Sequence, residues 1–173
     1  MSNFEVAAAV VLRHEGGFAD DPRDPGGATN YGISSRWLRS VGLPWSREYV
    51  LAITAERAKQ LYREYFWDPQ GYAGINDQTV ATKCFDAAVN MGARQANLLL
   101  QRALAYLGKP VDVDGILGPA TLAATNGCDP SALLSELNRA YAGFYKGLVA
   151  ARPGLSVFLG TWLRRAVWPA GDE

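Results

Sequence analysis

Histidine and cysteine are scarce in this sequence, and their scarcity narrows the chemistry available to it. The only histidine is His14, whereas zinc amidases and peptidases commonly need two or more imidazole ligands. Cys84 and Cys128 cannot build a disulfide framework, and both read as small buried apolar side chains. A cysteine peptidase would have to pair one of them with His14, yet no orienting acid for His14 is evident in the sequence. An excess of charge of either sign is missing too: 17 basic residues balance 17 acidic ones, and neither half carries a polybasic field. That argues against nucleic acid as a partner, since phosphate binding leaves a positive patch. Nor does any apolar run reach the roughly 18 residues of a membrane span. Val6 to Leu12 follows Glu5 instead of a basic segment and ends at Arg13, so it reads as a folded helix and not a signal peptide. No stable membrane insertion is expected.

What is there suits one compact domain, or a small domain with a helical annex, because 49% of the 173 residues are hydrophobic and 20% charged. The expected fold is mainly α. Phe4, Ala8, Val11 and Glu15 recur at helical spacing, and Gly16-Gly17 ends that helix. A stretch rich in Asp, Pro and Gly runs from Phe18 to Ile33 and fits a small hairpin or two-to-three-stranded sheet, its end, Thr29 to Ser34, being expected as a short strand. Helices follow over 35–41, from the cap Thr54 to about Trp67, and from the cap Asp77 to Met91. Others run from Arg94 to Leu107, from Gly118-Pro119, from Asp129-Pro130 to about Ala151, and from Ser156 to Trp168. In that last segment Arg164 and Arg165 could touch membranes, but docking on the core is the expected role.

Glu15 is the first candidate for chemistry. The apolar stripe leads into it and it closes a helix, so burial and the negative pole of the dipole both favour a protonated carboxyl. A glycosidic general acid needs that state. Glycosidases pair such an acid with a second carboxylate, and Asp20, Asp21 and Asp24 follow on a loop that Gly26 and Gly27 allow to turn back. Each Asp could equally be a turn former. Thr29 could orient a carboxylate or a water, or be only a strand residue. Tyr31, Tyr65, Phe66 and Trp67 offer aromatic faces for sugar rings, although such spacing is also that of core residues.

Glu15-Gly16-Gly17-Phe18, followed by Asp21-Pro22-Arg23-Asp24-Pro25-Gly26-Gly27-Ala28-Thr29-Asn30-Tyr31-Gly32-Ile33, resembles the signature of glycoside hydrolase family 108. Its members are N-acetylmuramidases found among phage endolysins and secretion-associated lysozymes, and the resemblance implies a lysozyme-like fold with Glu15 as the catalytic glutamate. The segment is also similar to the Glu–Asp–Thr triad of phage lysozymes. Eight residues separate Glu15 from Asp24, as there, but four rather than five separate Asp24 from Thr29. Phe85-Asp86-Ala87-Ala88-Val89-Asn90-Met91-Gly92 resembles the helix that closes the sugar cleft, which implies Asn90 as a substrate contact and Asp86 as an orienting group. Leu100-Gln101-Arg102, Val113-Asp114-Gly115-Ile116-Leu117-Gly118-Pro119 and Thr121-Leu122 resemble a helical peptidoglycan-binding motif. Physically, Asp114-Gly115 makes a tight turn and Gly118-Pro119 starts a helix.

The expected organisation is therefore a catalytic region over 1–92 and a peptidoglycan-binding-like region over 93–173 packed on it. Glu15, Asp24 and Thr29 are the expected catalytic residues; Asp20, Tyr31, Trp67 and Asn90 are the expected substrate contacts. The resemblance implies the glycan strand of peptidoglycan as the substrate. No cofactor or metal is implied, and the protein is expected to be monomeric. Made in the cytoplasm without an export signal, it would reach the cell wall through a holin or a secretion system. The competing reading is a non-catalytic peptidoglycan-binding or secretion accessory protein, in which Glu15 could be replaced without consequence.

Overall fold

Most helices of the chain begin at a short polar side chain that accepts hydrogen bonds from the first turn. The computed structural model describes residues 1–20 and 27–168; Asp21 and Asp24 lie outside them. Asn3 caps α1 (Phe4–Glu15), Ser34 caps α2 (Ser35–Ser40) and Ser46 caps α3 (Arg47–Leu51). Thr54 caps α4 (Ala55–Tyr62), Asp77 caps α6 (Gln78–Met91) and Asp129 caps α9 (Pro130–Ala151). Each cap satisfies orphan amides for about 1 kcal/mol. Between α4 and α6 lies α5 (Asp68–Gln70); beyond α6 lie α7 (Ala93–Tyr106) and α8 (Pro119–Asn126), and α10 (Leu159–Val167) follows α9. No helix among the described residues is long and apolar enough to cross a membrane.

The structure departs in places from the pattern expected along the chain, as where the helix expected from Ser156 is 3₁₀ through Phe158 and α-helical only from Leu159. The helix expected from Thr54 to Trp67 is α-helical only to Tyr62 and continues as a π-helical stretch, Arg63–Trp67. Its wider turns let Tyr62 and Trp67 both face the core, at 1% and 2% exposure. The short α3 was not evident in the sequence. Its role appears in the hairpin, where β1 (Thr29–Asn30) pairs antiparallel with β2 (Ile33–Ser34). Tyr31 and Gly32 link them with φ of 48° and 73°, the left-handed pair that suits the twist of a two-residue hairpin. The buried Asn30 amide donates to the carbonyls of Val50 at 3.2 Å, Leu51 at 3.3 Å and Ile53 at 3.1 Å. This anchors the hairpin on the end of α3.

α6 is the axis of the molecule. Every residue from Val80 to Ala88 is buried, as expected of a helix covered on all sides. It packs against α1 and α7, with α9 across it and α10 lying along α9. Phe85 sits among Phe4, Tyr62, Trp67 and Tyr72, with ring centroids 5.3 to 6.3 Å away in edge-on or tilted arrangements. Such geometry adds about 0.5–1.5 kcal/mol per pair to simple burial.

Burying α6 completely also buries Lys83 and Asp86, so each must be paired. Lys83 donates from Nζ to the carbonyls of Arg165 at 3.2 Å and Ala166 at 2.5 Å, and to that of Trp168. It thereby caps the carbonyl end of α10 with a positive charge. In the second half, Gln101 is buried and knits the turn at Asp114-Gly115. Its Nε2 donates to Asp114 Oδ1 at 2.8 Å, and its Oε1 accepts from the Gly115 amide at 2.8 Å. A tight turn and the helix from Pro119 stand where the sequence placed them.

Candidate active site

Glu15 ends α1, and Gly16, with φ of 71°, turns the chain away. Its carboxyl is wedged among three structures. Oε1 lies 2.7 Å from Nη2 of Arg165, and its side chain is 16% exposed. On the other side stands the hairpin turn: a Cβ on Gly32 would come within 2.5 Å of Glu15 Oε2 and of the Tyr62 hydroxyl. Only glycine, with no side chain and free access to positive φ, permits that approach. Tyr62 completes the wall by donating from its hydroxyl to the Tyr31 carbonyl at 2.6 Å. Burial, reinforced by the nearby Glu15 charge, pushes the Tyr62 phenol well above its ordinary value, so it stays a neutral donor.

Behind Glu15 runs a charged chain through the core. Arg165 grips Asp86 with two parallel bonds, Nε to Oδ2 and Nη2 to Oδ1, each 2.8 Å. This fork-to-carboxylate geometry is the strong form of the interaction. His14 Nδ1 meets Asp86 Oδ1 at 2.9 Å. Burial pushes the Asp86 carboxyl up, but the bond from His14 and the Arg165 guanidinium outweigh it and hold it below its ordinary value. Asp86, expected as an orienting group, is thus the acid that holds His14, a pairing not evident in the sequence. Cys84 does not suit a nucleophile's role beside the pair, because it is buried and burial pushes its thiol up to about 12. That disposes of the cysteine-peptidase reading through Cys84.

The other expected residues are distributed unevenly. Thr29 stands on β1, its hydroxyl 3.4 Å from the Gly27 carbonyl; Tyr31 forms the turn facing Glu15. Asp24 falls outside the described residues. Asp20 is engaged by Arg47, whose Nε donates to its Oδ2 at 2.6 Å. Trp67 is a correction: at 2% exposure, packed edge-on against Phe4, Tyr72 and Phe85, it presents no face to a sugar. Asn90 accepts from the Tyr145 hydroxyl at 2.6 Å and borders a cavity on the Arg165 side. Gly32, Tyr62 and Arg165 were missed as parts of this site. Gly32 lay inside the recognised signature, whereas nothing local marks Arg165. Among the described residues no group of three or more His, Cys, Asp or Glu could hold a metal ion.

A shielded glutamate facing a small hairpin can serve as a proton donor in glycoside hydrolysis. Comparison with known proteins gives the family. The family model described as glycosyl hydrolase 108 matches residues 8–92, and one described as a predicted peptidoglycan domain matches residues 95–167. Among solved structures, that of SagA from Brucella abortus is similar over 95% of this chain and 93% of its own, with 31% identity and a TM-score of 0.75. No curated protein matches the sequence. The chain belongs to the glycosyl hydrolase 108 family. It is a glycoside hydrolase whose substrate is peptidoglycan. The two matched segments meet between α6 and α7, and Arg165 of the second rests on Glu15 of the first.

Proposed function

We propose that this protein is an N-acetylmuramidase, a lysozyme that cleaves the β-1,4 bond between N-acetylmuramic acid and N-acetylglucosamine with Glu15 as general acid. The observation that carries the reading is the placing of the Glu15 carboxyl between Gly32 and the Arg165 guanidinium. Proton delivery to the glycosidic oxygen leaves a carboxylate, and Arg165 stands ready to neutralise it. Asp24, or else Asp20, positions water or stabilises the oxocarbenium-like transition state. Thr29 orients that water or carboxylate, while Tyr31 and Asn90 contact the sugars. The enzyme acts as a monomer on the cell wall, as a bacteriolytic endolysin of phage or a secretion-associated lysozyme, delivered from the cytoplasm by a holin or a secretion system.

The test is digestion of purified peptidoglycan by wild type and Glu15→Gln, with the new ends identified by mass spectrometry. New reducing-end N-acetylmuramic acid from wild type alone is the expected result. Release of free amino groups, or full activity of Glu15→Gln, overturns the assignment.

A further inference from the structure

Between the ends of α1 and α6 and the length of α10 lies a cavity of about 430 Å³, within the roughly 300–1,000 Å³ of small-ligand sites. Arg13 and His14 line it from α1, and Trp162, Arg164 and Arg165 line it from α10, with Trp168 just beyond. The chain's own acids nearest these cations are already used. Asp86 holds His14 and Arg165, and Glu15 holds Arg165. Arg164 reaches only the Thr161 hydroxyl, at 3.2 Å. Neither Arg13 nor Arg164 forms an ion pair among the described residues. The cavity therefore keeps two guanidinium groups, on two different helices, unanswered by any described acid. Its aromatic walls are fixed: Trp162 stacks on Tyr145 at 5.3 Å, and Trp168 meets the His14 ring edge-on at 5.7 Å.

Unpaired guanidinium forks on a shaped, partly aromatic cavity select carboxylates. We propose that this cavity is a stem-peptide site, which takes the carboxylates of the peptide that peptidoglycan carries on its muramic acid residues. The inference rests on the muramidase reading for its placing. Arg165 belongs both to the cavity and to the Glu15 site, so a peptide held here hangs from the muramic acid whose bond is cut. Within intact wall the lactyl carboxyl of muramic acid is consumed in the amide bond to that peptide, which leaves the peptide as the bearer of carboxylates. Two separated cations also match a chain with more than one carboxylate better than a lone sugar acid. The Thr161 hydroxyl, which borders the same cavity, suits the polar peptide backbone.

The experiment titrates a soluble stem tetrapeptide into the full chain while following tryptophan fluorescence. Wild type is compared with Arg13→Gln/Arg164→Gln, and the free peptide with its carboxyl-amidated form. Both arginines are exposed, so the double variant is expected to fold, which its melting curve verifies. Saturable quenching is expected in wild type, weakened roughly tenfold or more by the variant and by amidation. The proposal is overturned by an absent response, by equal binding of the amidated peptide or by unchanged affinity in the variant. It is also overturned by tighter binding of N-acetylmuramic acid with its free lactyl carboxylate. Cleavage of peptide-stripped glycan strands by wild type tests the muramidase reading separately. Failure there and on intact wall removes that reading but leaves the peptide titration standing.

Discussion

Arg165 pairs with Glu15 at 2.7 Å while gripping Asp86 with the same guanidinium. One side chain from the last helix thus secures the candidate acid and neutralises the most deeply buried carboxylate of the central helix. Arg165→Gln is expected to lower stability by about 3–5 kcal/mol, because it leaves the buried Asp86 carboxylate without its guanidinium fork. Arg165→Lys should recover part of this, since an ammonium restores charge but not the fork. Urea unfolding and glycan turnover, measured on both variants, check the order wild type, Lys, Gln.

Gly32→Ala tests the closeness of hairpin and acid. The added methyl must fall on Glu15 Oε2 and the Tyr62 hydroxyl, at a backbone φ of 73°. A stability loss of about 1 kcal/mol or more is expected from the conformation alone, together with a fall in turnover of at least tenfold. Wild-type turnover in the folded variant would show that the hairpin turn does not set the position of Glu15.

Acid should weaken the fold through Asp86. Its carboxyl is held below the ordinary value of 3.8, so its stabilising contribution is complete above that pH and is lost as pH falls through the lower folded value. Denaturant unfolding between pH 7 and pH 2 is expected to show wild type and Asp86→Asn well separated near neutrality and converging in acid. A constant gap would place the acid sensitivity elsewhere.

Lys83 supplies an opposite dependence. Burial pushes its ammonium down to about 8, from an ordinary 10.5, so the cost of keeping it charged is felt below about 8 and fades as pH rises towards and past 10.5. Lys83→Met should remove that slope but release the three carbonyls at the end of α10. The expected net effect is a loss of about 1–3 kcal/mol near neutral pH, with lower turnover as Arg165 loses its support. Melting temperatures across pH 7 to 11, with lysis rates beside them, read both effects.

The elements that sequence disclosed were those written in local chemistry. Asp77, Thr54 and Asp129 announce helix starts through side chains that bond within their own first turn, and Gly16 and Gly92 announce stops. The turn at Tyr31-Gly32 was not among them, since that segment reads as strand. The tertiary partners were silent because they depend on helices meeting far along the chain. Trp67 shows the same limit from the other side. Aromatic residues at helical spacing look alike in sequence whether they line a groove or fill a core, and only the π-helical widening after Tyr62 settles which way Trp67 faces.

The Lys83 clasp also bears on how the protein comes into being. During synthesis the glutamate, the hairpin and the whole of α6 leave the ribosome well before Arg165 and the carbonyls that Lys83 holds. Until those late residues arrive, Lys83 lacks the carbonyls it holds and Asp86 has only His14, so closing the first half around α6 costs more than it does in the finished molecule. A chain that stops short of Arg165 therefore lacks the residue that rests on Glu15, and is expected to show no glycan turnover.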